Sequence, residues 1–190
     1  VGRSEHTFGT NDTHCTPAAV YEPVLEALRI DRFGLDPFGN PASPVPADTV
    51  ILLPDYWSTL WAAEEDDASE TATTLYLKGD AYAFDWGDQG VVFCNGPTSA
   101  CAPWAEKMAG DEGGDENVSL WPVRTRTNWW QKWVAPSDAI LFWRGGIKFV
   151  GSPWQAPWSS ALSYVGPRAD LFAEGMAKYG WIVRNPRDWD

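Results

Sequence analysis

The sequence predicts an α/β fold, a mainly parallel sheet with helices on both faces. Two observations carry this. Several short runs are apolar at every position instead of alternating, as in strands buried on both sides; Val50-Ile51-Leu52-Leu53, Gly90-Val91-Val92-Phe93-Cys94 and Ala139-Ile140-Leu141-Phe142-Trp143 are examples. Between them lie segments with helical spacing and Pro or Gly punctuation, the alternation expected of a covered parallel sheet. The chain has 190 residues, which fits one domain spanning 1–190 and hides roughly 70% of its unfolded surface. Residues 1–12 are expected to be flexible, and 64–70 and 111–116 to form acidic loops.

The elements follow in order. Thr16-Pro17 opens a helix, Thr as N-cap and Pro at the first helical position. Val20, Val24, Leu25 and Leu28 share one face of it, and Pro23 is expected to kink or restart it. Phe33 to Asp36 reads as a short buried strand ending in a carboxylate. The Pro/Gly/Asn stretch from Pro37 to Pro46 is too rigid and turn-rich for a helix. A strand at 50–53 and a helix at 56–63 come next, then strands at 73–77 and 90–94. Pro103 opens a helix that stops at Gly110. Strands at 118–121, 139–143, 161–165 and 181–183 alternate with helices at 127–134 and from Pro167 to Gly180.

Fourteen basic and 26 acidic residues give a net charge of −12. Taken whole, that opposes nucleic acid or an anionic membrane as partner. The charge is unevenly spread: from Val118 onward there are nine basic and five acidic residues, before it five and 21. The cysteines Cys15, Cys94 and Cys101 form no C-x-x-C pair, and with only two histidines no metal site is expected. No apolar run approaches the ~18 residues of a membrane span, and Val1 to Glu5 resembles no signal peptide. Cytoplasmic is therefore the default location. Thirteen tryptophans, ten of them at or after Trp104, serve either a stacking surface or a core poor in Met and Ile.

In parallel sheets, ligands sit at the carboxyl ends of strands, and two strand ends carry suitable chemistry. Asp36-Pro37-Phe38-Gly39-Asn40 supplies a carboxylate and a glycine that lets backbone approach a ligand; it is equally a common turn opener. Asn95-Gly96-Pro97-Thr98 is a plain turn or something more specific. A side-chain amide oxygen and the next backbone carbonyl can together hold both hydrogens of a base's exocyclic amine, positioning the nitrogen for in-line attack on a methyl sulfonium. Arg124, Arg126, Lys132, Arg144 and Lys148, interleaved with Trp121, Trp129, Trp130, Trp133 and Trp143, form a second constellation. It suits phosphate contact with base extrusion, or else packing and surface pairing. In an extended segment Arg124 and Arg126 face the same side.

Taken in order, these blocks resemble the phage-type DNA adenine-N6 methyltransferases (Dam-like). The blocks are Thr16-Pro17, Gly34 to Pro41, Trp86 before Val92-Phe93-Cys94-Asn95, Ala102-Pro103-Trp104, Pro122 to Thr125 with Trp129-Trp130, and Arg144 to Phe149. The resemblance runs from about Thr13 to Val183. It implies a Rossmann-like fold binding S-adenosylmethionine, with methyl transfer to adenine N6 in double-stranded DNA and no metal. Thr16, Pro17, Asp36, Pro37, Phe38 and Asp80 would face the cofactor. Asn95, Gly96, Pro97 and Thr98 would form the catalytic tetrapeptide, and Arg124, Arg126, Trp129, Lys132, Arg144 and Lys148 would contact DNA. The family's tetrapeptide is usually Asn-Pro-Pro-aromatic, so Gly96 and Thr98 depart from it. Phe93 or Trp104 is the expected substitute stacking face. The alternatives are the same fold acting on another base or position, or an inactive DNA- or protein-binding relative.

Overall fold

Among the residues that the computed structural model describes (15–52, 68–70, 74–110 and 113–185), nine strands join in one sheet. They are β1 (Phe33–Gly39), β2 (Ala47–Leu52), β3 (Ala68–Glu70), β4 (Leu75–Lys78), β5 (Val91–Cys94), β6 (Glu116–Pro122), β7 (Ala139–Trp143), β8 (Ser160–Val165) and β9 (Gly180–Arg184). Their order is β3-β4-β2-β1-β5-β6-β8-β7-β9. β4, β2, β1, β5 and β6 pair in parallel, and β7 runs the same way because both it and β6 are antiparallel to β8. Only β3, β8 and β9 are reversed. Six carboxyl ends therefore share one edge, in the expected Rossmann-like arrangement. The helix predicted at 56–63 and the segment 1–12 lie outside the described residues.

Among the described residues three α-helices cover the sheet: α1 (Ala18–Leu28), α2 (Cys101–Ala109) and α3 (Ala169–Met176). α1 and α3 lie on one face, where Val20, Val24 and Leu28 join Phe172 and Met176 in the core over Phe33, Phe93 and Leu141. Their approach is close: a Cβ on Gly175 would come 2.5 Å from Ala27 Cβ. α2 covers the other face, joined by a π-helical turn (Trp130–Val134). There Trp86, Trp104, Trp121 and Trp130 are buried with Leu35, Val92 and Ile140. Burial of large rings is thus one answer to the tryptophan excess.

Several local expectations are corrected. Pro17, in extended conformation, is the N-cap of α1 and makes no side-chain cap bond; Thr16 precedes the cap and its hydroxyl is used elsewhere. Pro23 neither restarts nor ends α1, which runs unbroken through it with Pro23 buried on its apolar face. One lost backbone bond is outweighed there by tertiary packing. β1 does not stop at Asp36 but continues to Gly39. α2 begins at Cys101, so Pro103 stands in the first turn, where no N–H partner is needed.

The link between β1 and β2 shows why the Pro-rich stretch reads as neither helix nor strand. Parallel neighbours usually need a crossover of a dozen residues or more, yet Asn40 to Pro46 returns the chain to the start of β2 in seven. At ~3.3 Å per residue an extended strap can just span a strand this long. Pro41 sits in a tight turn closed by Ser43 N–H onto Asn40 O at 2.9 Å, after which Pro44 and Pro46 favour extension, and Val45 is buried beneath the strap.

The acidic segments are less loop-like than expected. Ala68–Glu70 forms the edge strand β3 against β4, where pairing on one side tolerates charge. Glu116 begins β6 and takes a bidentate bond from Arg168 (2.8 and 2.6 Å), which also donates to Leu28 O at 2.6 Å. The Tyr164 hydroxyl donates to Glu116 and accepts from the Arg168 backbone N–H. This cluster ties α1, α3, β6 and β8 together at the amino end of β6, on the edge away from the carboxyl ends.

Candidate active site

The chain leaves β1 on one side for β2 and returns on the other at β5, so the carboxyl ends of β1 and β5 flank the switch point of the sheet. This is where an α/β sheet opens a crevice for a ligand. β1 contributes Asp36, 6% exposed, whose one hydrogen bond among the described residues comes from the Phe38 backbone N–H at 3.2 Å. Burial pushes this carboxyl up to about 7, against the partial offset of that bond. Cys15 and Cys94 stand close by: burial first, and the Asp36 charge after it, push both thiols up. Asn40 Nδ2 donates to Cys15 Sγ at 3.0 Å. An under-compensated buried carboxylate suits a ligand bearing an ammonium group or hydroxyls.

From β5 the chain enters Asn95-Gly96-Pro97 and a single 3-10 turn (Thr98–Ala100) leading into α2. Asn95 Nδ2 donates to Thr16 Oγ1 at 3.0 Å, joining two predicted site residues 79 positions apart. That bond fixes the amide and leaves Oδ1 without a donor among the described residues. Gly96 sits on the Trp104 ring: a Cβ there would lie 2.8 Å from Cε2. Trp104 cannot yield. It is fully buried, stacks on Trp121 at 3.7 Å and 3°, and donates from Nε1 to Pro97 O at 3.2 Å. The departure from proline at Gly96 therefore accompanies a ring packed directly beneath it.

The structure gathers Thr16, Pro17, Asp36, Pro37, Phe38 and Asn95 to Thr98 around this switch point. Asp80 is more peripheral. It follows β4, is exposed, and accepts from the Tyr82 N–H (3.0 Å) to shape a turn. That turn does reach β1, since the Tyr82 ring meets Phe38 edge-on at 5.6 Å.

Arg124, Arg126, Arg144 and Lys148 are exposed in loops that leave the carboxyl ends of β6 and β7, the edge that also bears Asn95. None is ion-paired among the described residues. Arg124 and Arg126 occupy a turn closed by Thr127 N–H onto Arg124 O at 2.9 Å, so strand parity does not relate them. Lys132 is on the π-helical turn covering the sheet face, over the Trp133 ring at 4.1 Å. Trp129 is half-buried and packs on Trp121 and Trp130. Neither expected stacking face is available: Phe93 is fully buried against Phe33, and Trp104 is sandwiched as above.

Sequence reasoning missed the residues facing the tetrapeptide. An open cavity of about 220 Å³ is lined by Asn95, Gly96 and Thr98 together with residues of the β7–β8 loop, including Phe149, Trp154 and Trp158. The available signal was a repeated Pro-Trp pair, Pro153-Trp154 and Pro157-Trp158, in a stretch claimed by no helix or strand.

No curated protein matches the chain. A family model described as DNA N-6-adenine-methyltransferase (Dam) matches residues 47–163, more than half the sequence. The match spans β2 to β8, taking in the Asn95 tetrapeptide, the four basic loop residues and both Pro-Trp pairs. The fold, the strand-end asparagine and this match agree, and the chain belongs to the Dam family of DNA N-6-adenine methyltransferases.

Proposed function

We propose that the protein transfers a methyl group from S-adenosylmethionine to the N6 amine of adenine in double-stranded DNA, with the target base drawn out of the helix. The observation that carries this reading is the Asn95 amide, held by Thr16 at the carboxyl end of β5 and lining an open cavity. S-adenosylmethionine, when bound, supplies the electrophilic methyl group. Asp36, with Pro37, Phe38, Thr16 and Pro17, would hold it at the switch point, and Asp80 would approach from the β4 side.

An adenine amine is a poor nucleophile because its lone pair is delocalised into the ring. Asn95 Oδ1 and the Gly96 carbonyl are two acceptors on consecutive residues, able to take one amine hydrogen each. Their pull favours a pyramidal nitrogen and stabilises charge developing on it, so the rate gain comes from positioning and electrostatics. Pro97 and the Thr98 turn set the direction of that pair. Arg124, Arg126, Arg144 and Lys148 would grip phosphates around the extruded base, with Lys132 and Trp129 on the flank.

Asn95→Ala tests the assignment. It should abolish transfer to DNA while leaving the cofactor dissociation constant close to wild type, measured by calorimetry. An unchanged transfer rate would falsify the role of Asn95.

A further inference from the structure

We propose that Trp154 and Trp158, in the loop joining β7 to β8, supply the stacking face for the extruded adenine, in place of an aromatic residue at position 98. This inference rests on the methyl-transfer reading above. Four observations support it.

Both rings line the same cavity as Asn95, Gly96 and Thr98. A base held by the Asn95 amide would therefore have its ring plane among them. Secondly, Trp154 is 77% exposed, so its ring face is open to a planar ligand. Thirdly, every other described tryptophan already has an aromatic or cationic neighbour: Trp86, Trp104, Trp121, Trp129, Trp130, Trp143 and Trp181 contact rings, and Trp133 carries Lys132. Among the described residues Trp154 and Trp158 have none.

Finally, the loop is shaped in advance. Ala156 N–H bonds Ile147 O at 2.8 Å, Ser152 N–H bonds Phe149 O at 3.1 Å, and Ser152 Oγ donates to Trp154 O at 2.8 Å. Ordering it on binding costs little, which favours affinity. The cavity, at about 220 Å³, is smaller than the ~300–1,000 Å³ of sites that enclose whole drug-sized ligands. A single planar base is the occupant of matching size, shape and hydrogen-bonding character. Arg144 and Lys148, at the start of the same loop, place positive charge where its flanking phosphates would run.

The test compares wild type with Trp154→Ala, Trp158→Leu (apolar bulk kept, ring face lost), the double variant, and both single Phe variants. Each is given labelled S-adenosylmethionine and DNA free of N6-methyladenine; transfer rate, cofactor affinity and melting temperature are read. The double variant should lose transfer by about 5- to 150-fold, the worth of one base–aromatic stack. The Phe variants should recover most of it, with cofactor affinity and melting temperature little changed. A double variant within about twofold of wild type would overturn the stacking role while leaving the methyl-transfer reading intact. A wild type that binds the cofactor but labels no adenine would overturn that reading, and this inference with it.

Discussion

Asp36 is buried at a strand end with a single backbone N–H for compensation, and its pKa rises from the ordinary 3.8 to about 7. For an acid the sign is definite: between those values the folded protein keeps a proton that the unfolded chain has released. Stability therefore falls as pH rises through that window and levels off above about 7. Asp36→Asn should remove this dependence. Denaturant unfolding of the cofactor-free protein should show the variant gaining on wild type as pH rises, by on the order of a few kcal/mol at pH ~8. A difference independent of pH would contradict the account. The same substitution should weaken cofactor binding, the outcome expected of the role proposed for this carboxylate. Asp36 was legible as a candidate from its place at the end of an apolar run, where a plain turn opener reads the same way; its burial came only from the fold. The bond from Asn95 to Thr16 was not legible, since it depends on placing residues 79 positions apart. Thr16 looked like a helix cap by local rules, and tertiary contact redirected it.

At the scale of elements, the β5–α2 junction explains the altered tetrapeptide better than drift does. Gly96 provides the space that Trp104 fills, and α2 brings Trp104 there because its apolar face must cover Leu35, Val92 and Trp121. Gly96→Ala or Gly96→Pro, although the latter restores the family's more usual sequence, places a Cβ against a ring that cannot move. Either should destabilise the fold by about 1–3 kcal/mol, the ordinary cost of overpacking, in chemical denaturation. A melting temperature at or above wild type would refute this fit. The core strands were readable because continuous apolar runs have few other uses, and the helices because Pro and Gly mark their ends. The edge strand β3 was hidden by its acidic composition, and the seven-residue strap from β1 to β2 by its brevity. The tryptophan loop escaped because its role comes from the cavity it faces, and periodicity carries no information about that.

For the whole molecule, the net charge of −12 is a poor guide to partners because exposed basic side chains can still gather locally. Arg124, Arg126, Arg144 and Lys148 stand exposed along the edge that carries Asn95, unpaired among the described residues, while Arg168 and Glu116 neutralise each other at the opposite edge. Screening confines such effects to ~8–10 Å at ordinary salt, so a local basic rim can hold phosphate despite an acidic total. The excess of acid opposes long-range attraction and limits the rate of approach. The proposed site thus combines a crevice at the sheet's switch point, an amide held at the end of β5, and exposed basic residues and tryptophans in loops of the same edge. Identification of the product tests that combination most directly. The protein is incubated with labelled S-adenosylmethionine and DNA devoid of methylated adenine, and the DNA is then digested to nucleosides. The account predicts label in N6-methyladenine alone; label in another base, or none despite bound cofactor, would contradict it.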